Sequence, residues 1–546
     1  MSAWPSTIGE LVRARAEDDR LGLLFEDRSW TWAEHTAQAA ARAGWYAADR
    51  ESRGAAGPAH IGVLLDNVPE FSFWLAAAAL GRFVVVGLNS TRRGEELAQD
   101  IRATACELII TDADGLPLLL GLDLGAARVV DSDTTSYDPA PLPADRAEPD
   151  DLHLLIFTSG TTGTPKAVRC SQRKIAFSAL GVAMRVELTA DDVSYVSMPL
   201  FHSNAVIAGW GPSLAVGATI ALRRRFSASQ FLPDICRFGA TYANYVGTPL
   251  SYVLAQPPGD DTDNPLQRVF GNEGAPADLD RFAERFGCRV LDGFGSSEGG
   301  ISISRTPDTP AGSLGRPVDD VRVCDPETGQ QCAAAEFDVA GRLVNADEAV
   351  GELVGFDGPG LFEGYWDSPV ETSHRLRDGR YWSGDLGYQD EHGFLYFAGR
   401  GPDRLRVFGE NFPAAPVARL LTRHPYVVEA VVYPVPDAVA GDQLMAAVVP
   451  AEGFDPAGFA SWVAAQPEAS ATWVPRYLRV SDQLPRTATG KVLVRTLTQE
   501  RWDATGQVWC RTGPPGSPGS LDLRPFTAAD ADALDEAFLA SGRALL

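Results

Sequence analysis

From Thr158 to Lys166 the chain reads TSGTTGTPK, two glycines and five hydroxyl side chains directly behind the apolar run LLIF. A strand ending in such a loop presents backbone N–H groups and hydroxyls to a phosphate chain, and Lys166 adds a point charge. Gly160 to Lys166 has the separation of a Walker loop. However, Pro165 stands where that loop has glycine, and Ala167 where it has the Mg²⁺-binding hydroxyl. P-loop kinases and ATPases are therefore disfavoured. Taken alone, the segment also reads as a plain surface connector between a strand and a helix.

Charge sharpens the reading. With 47 basic against 72 acidic residues the net charge is −25, so a nucleic-acid or anionic-membrane surface is disfavoured and any polyanionic ligand must meet a local basic pocket. Of the basic residues only Lys166, Lys174 and Lys491 are lysine. An ammonium sits between closely spaced anionic oxygens better than a planar guanidinium does, so each lysine is a candidate for special duty. Lys174 also reads as a chance occurrence. The cysteines are scattered, without a CxxC pair or zinc-site spacing, which points to a reduced, cytoplasmic chain without structural metal. The longest apolar run, Phe71 to Leu88, is interrupted by Gly81 and Arg82 and predicts a buried helix followed by a strand rather than a membrane span.

The elements that must position this loop begin with capping-box spacing at Thr7 and Glu10 and a second helical pattern from Ala33 to about Asp49. Near-continuous apolar strands then alternate with helices: His60 to Leu65, the helix PEFSFWLAAAAL, Arg82 to Leu88, a helix from Gly94, and Glu107 to Thr111. This pattern predicts a parallel sheet covered on both faces. An acidic connector, Asp131 to Asp151, leads to the glycine loop. From about Gly312 to Gly399 short strands with Gly and Pro turns predict a β-rich subdomain. Beyond Arg400 to Arg404, VVEAVVYPV, LMAAVVPA and Pro456 to Gln466 suit a small α+β unit. The expected division is an N-terminal lobe 1–400, a C-terminal domain 401–511 and a tail 512–546, docked or mobile.

In order, TSGTTGTPK, PLFHSN (199–204), GNEGAP (271–276), DGFGSSE (292–298), YWSGDLG (381–387), GRGPDRLRVFGEN (399–411) and LPRTATGK (484–491) resemble the motif series of adenylate-forming enzymes, a family of acyl-CoA synthetases, luciferases and peptide-synthetase adenylation domains. The GEN after Phe408 and the uncharged residue two places after Arg400 are similar to its fatty-acid-transport-protein branch. FHSNAV, SASQF and GNEG look closest to actinobacterial synthetases acting on steroid side chains. The resemblance implies an α/β plus β-rich N-terminal lobe and a small mobile α+β C-terminal domain.

It also implies roles. Thr158, Ser159, Gly160, Thr161, Thr162, Gly163 and Lys166 would cradle the β,γ-phosphates of ATP, and Glu298, after Ser297, would hold Mg²⁺. Phe294 would stack on adenine, within Asp292-Gly293-Phe294-Gly295, with Asp292 facing the adenine amino group; Gly274, Ala275 and Pro276 would form the other wall. Asp385 would accept the ribose hydroxyls and Arg400 reach ribose or phosphate. His202 would wall the acyl pocket. Lys491 would bridge acyl carboxylate and α-phosphate, and Gly409, Glu410 and Asn411 would line the CoA tunnel after a rotation about Gly401 and Pro402. Read singly, Asp292 and Asp385 suit turns, Glu298 a solvated carboxylate, Arg400 and Lys491 surface cations, and His202 a packed core histidine.

The expected function is an AMP-forming acyl-CoA synthetase acting on a large hydrophobic acid, either a long-chain fatty acid or a steroid side-chain carboxylate, with ATP, CoA and Mg²⁺. Two alternatives differ in kind: a synthetase that loads a carrier protein, against which His202 stands where the family's amino-acid activators have aspartate, and a fatty-acid transport or tethering protein, which would have no use for Lys491. The run Arg223 to Arg225 reads either as a CoA-phosphate contact or as a solvated basic cluster.

Overall fold

A computed structural model describes residues 5–541 apart from 159–165, 248, 260, 273, 275, 311, 340–342, 401–403, 408–409, 438–441, 467–468, 470, 488–491, 504–505 and 514–519; the side chains of Pro276, Arg400, Glu410 and Asn411 also lie outside the description. Ser159 to Gly163, Ala275, Gly401, Pro402, Gly409 and Lys491 therefore fall outside it. The described chain forms two compact units, one of Met1–Ser302 with Pro359–Gly379 and one of Ile303–Gly358 with Arg380–Leu546.

The first unit is built on two twisted sheets. One is six-stranded, in the order 128–131, 108–111, 60–64, 84–87, 152–158, 166–171. Its pairs are parallel except the last, where Leu152–Thr158 and Lys166–Ser171 are antiparallel. The expected helices occur at Trp32–Arg53, Pro69–Gly81 and Gly94–Ala103. Pro69–Gly81 is apolar almost all round and buried from Phe71 to Leu80, as a helix covering a sheet in a large core must be. The Thr7–Glu10 capping box forms as the sequence predicts, and a second one at Thr31 and Glu34 starts the next helix.

Within this unit the strands of the other, nine-stranded sheet run 289–295, 268–272, 242–246, 193–196, 219–222, 21–25, 28–31, parallel except for the terminal hairpin 21–31. One parallel sheet was expected where there are two. The N-terminal hairpin joins the sheet made by the later half of the unit, a long-range pairing that alternation of strands and helices does not encode.

In the second unit, Arg380–Gln389 pairs on one side with Gly351–Gly355 and on the other with Leu395–Arg400. A seven-stranded sheet follows, centred on Asp442–Pro450. Along Val427–Pro436, Ala430 and Val432 pack into one apolar cluster with the helices 414–422 and 456–464, while Tyr433 and Val435 face a second cluster. The period of two thus buries both faces. The segment after 511 is part of this body: Leu523–Pro525 pairs with Gln507–Arg511, and the helix Ala528–Ser541 inserts Phe538, 2% exposed, beside Tyr433 and Leu484. Phe538→Ala should destabilise this unit by about 3 kcal/mol, seen as a lowered midpoint of its transition in urea unfolding, whereas exposed Leu521→Ala should leave the midpoint within experimental error.

Candidate active site

The glycine-rich segment closes a hairpin. Thr158 is paired directly with Lys166, so the loop joins two antiparallel strands, unlike the strand–loop–helix of a Walker site. The helix comes one strand later, at Gln172–Arg185, capped by Ser171, whose hydroxyl accepts from the Lys174 N–H.

A third chain segment locks this hairpin from its open edge. Arg169 N–H donates to Gly364 O at 3.1 Å and Trp366 N–H to Ala167 O at 2.8 Å, which lays Gly364–Trp366 antiparallel beside the strand. Tyr365 is thereby held between the chemical groups. Its hydroxyl donates to Glu298 Oε1 at 3.0 Å and accepts from Arg375 Nε at 3.3 Å, while Lys166 Nζ stands 5.6 Å from its ring centroid. Burial, then the Glu298 charge, pushes the phenol above its usual range, which keeps it a neutral donor. Lys166 is also ion-paired with Glu371, whose carboxyl the lysine holds below its ordinary value. Glu363 receives the Ser171 N–H and hydroxyl.

Glu298 itself is 8% exposed. Ser297, one residue earlier, shares a 2.7 Å hydroxyl contact with Ser203 of the PLFHSN segment. His202 is half-buried in the same segment, and its Nδ1 accepts the Asn204 N–H at 3.4 Å. Asn204 ties the segment to the neighbouring strand through the Tyr245 carbonyl and the Asn244 amide. It is followed by a π-helix, Ala205–Trp210, a wide turn that recurs at functional sites.

Asp292 and Phe294 lie two residues apart on the strand Arg289–Gly295 and so share a face. Asp292 Oδ2 accepts from Tyr245 Oη at 2.6 Å and from the Gly274 N–H at 3.1 Å, joining the DGFG strand to the GNEG loop. A Cβ on Gly274 would lie 2.6 Å from Leu279 Cδ2, 3.0 Å from Asp292 Oδ2 and 3.1 Å from Tyr245 Oη. A methyl there would push on these side chains, so glycine is the residue that leaves the Asp292–Tyr245 contact undisturbed. Tyr245 also borders an apolar cavity lined by Phe226, Phe231, Leu250, Val253 and Val269.

In the second unit, Leu386 pairs with Glu352 but Trp382 with Val354, so Ser383, Gly384 and Asp385 bulge from the ladder. Gly384 takes φ 72° and gives its N–H to Glu352 Oε1 at 2.6 Å, while Asp385 N–H donates to Ser383 Oγ at 3.0 Å. Asp385, 3% exposed, stands opposite Arg400 in the ladder. Arg223, Arg224 and Arg225 are each paired with a carboxylate, of Asp234, Glu26 and Asp66, which favours the structural reading of that run.

Comparison with known proteins now decides the family. The profile of the AMP-binding enzyme family matches residues 12–366, and that of the AMP-binding enzyme C-terminal domain matches 417–491. The chain belongs to the AMP-binding enzyme family. It is 48% identical over 518 residues to the medium/long-chain fatty-acid–CoA ligase FadD17 of Mycobacterium marinum, covering 93% of this chain and 99% of that one. It is 45% identical over 556 residues to the steroid-22-oyl-CoA synthetase of Rhodococcus jostii, covering 98% of each. Among solved structures, ATP-bound MatB from Rhodopseudomonas palustris superposes with a TM-score of 0.76 at 23% identity, covering 91% of this chain and 99% of that chain, a likeness of fold.

Sequence reasoning missed the partners that hold this enzyme's motifs in place: Tyr365, Glu371, Arg375, Glu363 and Tyr245 belong to no motif in the series, and only the scarcity of lysine pointed at Lys174. Gly274→Ala should raise the KM for ATP roughly tenfold, the cost of about 1–2 kcal/mol of overpacking, with kcat less affected. Initial rates at varied ATP check this, and an unchanged KM would take Gly274 out of the nucleotide wall.

Proposed function

We propose that this AMP-binding enzyme is an acyl-CoA synthetase that joins a large apolar carboxylic acid to CoA through an acyl-adenylate, releasing AMP and pyrophosphate. The observation that carries the reading is the meeting of Lys166 and Glu298 on Tyr365, in a chain 45–48% identical over nearly its whole length to two ligases of hydrophobic acids.

Adenylation forces a carboxylate onto the α-phosphate of ATP, so two anions must be held together while pyrophosphate leaves in line. Thr158, the hydroxyl-rich residues 159–163 and Lys166 would receive the β,γ-phosphates, and the phosphates would take Lys166 over from Glu371. Phe294 and Asp292, with Gly293, Gly295 and Gly274-Ala275-Pro276 as close walls, would hold adenine. Asp385 and Arg400 would hold the ribose. A buried carboxylate such as that of Glu298 is the hard-oxygen donor that Mg²⁺ takes, and Mg²⁺ held by Glu298 would offset phosphate charge as pyrophosphate departs. Lys491 would bridge the acyl carboxylate and the α-phosphate.

The thiol of CoA would then need a path that a Lys491-bearing domain closed for adenylation would block, so that domain would have to turn. The pivot proposed at Gly401 and Pro402 falls between the spans of the two family profiles. Proline fixes φ, which leaves Gly401 as the neighbour with the widest backbone freedom. Gly409, Glu410 and Asn411 would then line the pantetheine path. The apolar character of the acid rests on the two ligases of hydrophobic acids that the chain resembles, with His202 proposed as a wall of the acyl site.

Purified enzyme should form AMP and pyrophosphate from ATP only with both Mg²⁺ and a hydrophobic acid, and consume CoA in equal amount. ADP and phosphate as products, or acyl transfer only to a carrier protein, would overturn the reading. Lys491→Ala should abolish acyl-adenylate formation, by a factor of roughly a thousand, yet spare thioester formation from supplied acyl-adenylate; single-turnover assays of each half-reaction separate the two.

A further inference from the structure

Lys174 is the feature that the reaction as described leaves unused. It is the third residue of the helix Gln172–Arg185 and is 1% exposed. A lysine at that depth is costly unless its ammonium is satisfied. Here Nζ donates to the carbonyl oxygens of Glu298 at 3.0 Å, Ser297 at 3.2 Å and Arg169 at 3.3 Å. An ammonium has three protons, and each finds a backbone acceptor.

These carbonyls belong to two segments far apart in sequence. Arg169 lies on the strand that leads from the phosphate loop, and Ser297-Glu298 is the loop that bears the acidic side chain. Gly299, next in the chain at φ 75°, lies against the lysine stem and Leu361: a Cβ there would stand 3.7 Å from Lys174 Cε and crowd Leu361 Cβ at 3.1 Å. The Leu361 N–H donates to the Gly299 carbonyl at 3.0 Å. Glu298 is thus fixed from both ends, its backbone by the ammonium and its carboxylate by the Tyr365 hydroxyl.

We propose that Lys174 is a positioning residue: its buried ammonium clamps the Ser297 and Glu298 carbonyls against the strand that begins at Lys166, and so orients the Glu298 carboxylate toward a divalent cation bound to ATP. The proposal rests on Glu298 as the metal-binding group. It predicts a defect in metal affinity in addition to the loss of stability that three unsatisfied buried carbonyls bring. Two hydrogen bonds from a charged donor to one loop are also lost together, because an apolar side chain of the same length fills the space but offers no proton.

The test is Mn²⁺ binding in the presence of a non-hydrolysable ATP analogue, followed by electron paramagnetic resonance on the full-length enzyme, for wild type, Lys174→Met, Lys174→Gln and Glu298→Gln, each first shown to be folded by its thermal transition. Lys174→Met should weaken Mn²⁺ binding about tenfold. Lys174→Gln, which keeps amide donors on a shorter stem, should weaken it less and decides the matter if Lys174→Met does not fold. Acyl-adenylate formation by both should recover as Mg²⁺ is raised. Folded lysine variants that bind Mn²⁺ as wild type does, while Glu298→Gln binds it weakly, would overturn the role of Lys174. Unchanged binding in Glu298→Gln would overturn the metal reading, and the inference with it.

Discussion

Two anions cannot be pressed together without positive charge close by, and a chain with a net charge of −25 has to build that charge locally. The structure answers with buried or half-buried cations whose surroundings are specified atom by atom. Lys166 lies between a carboxylate and an aromatic ring, Lys174 among three carbonyls, and Arg375 against a phenol. Other arginines, such as Arg82, Arg225 and Arg237, pair with Asp or Glu at the surface, where an ion pair contributes little. Lys166 and Lys174, two of the three lysines in the sequence, are both among the buried or half-buried cations of the candidate site.

The edge pairing of Gly364–Trp366 against Ala167–Arg169 is what makes this possible. Backbone hydrogen bonds hold Tyr365 beside Val168, and its hydroxyl then reaches Glu298 from a segment nearly seventy residues away in sequence. A side chain held by a ladder is better fixed than one carried on a free loop. The same economy recurs at Asp292, which spans Tyr245 and Gly274, and at the Ser383–Asp385 bulge, where Glu352 takes the Gly384 N–H.

Rigidity of these parts matters because the proposed reaction has two half-reactions and only one set of phosphate contacts. A site pre-organised for adenylation does not have to be rebuilt after each turnover, provided that the moving element is confined to a short pivot. The opposition of Asp385 and Arg400 within one ladder keeps both proposed ribose contacts on a single rigid ribbon, whatever the pivot does.

What the sequence determined by itself is the chemistry and most elements. The order of the motifs identified the family, because the phosphate, metal and carboxylate contacts proposed for it need particular residue types at positions that a short string can record. Apolar runs and caps gave the helices at 32–53 and 69–81 and the strands around 60 and 108, since their period is local. Tertiary structure alone decided that there are two sheets in the first unit, that the N-terminal hairpin joins the second of them, that the phosphate loop caps a hairpin, and that the segment beyond 511 closes a sheet edge. These are pairings between distant segments, chosen by which surfaces fit. It also decided the meaning of Lys174 and Tyr365: a lone lysine or tyrosine in sequence has no period and no motif, and only burial, three carbonyls around one ammonium and a phenol against one carboxylate say what each is for.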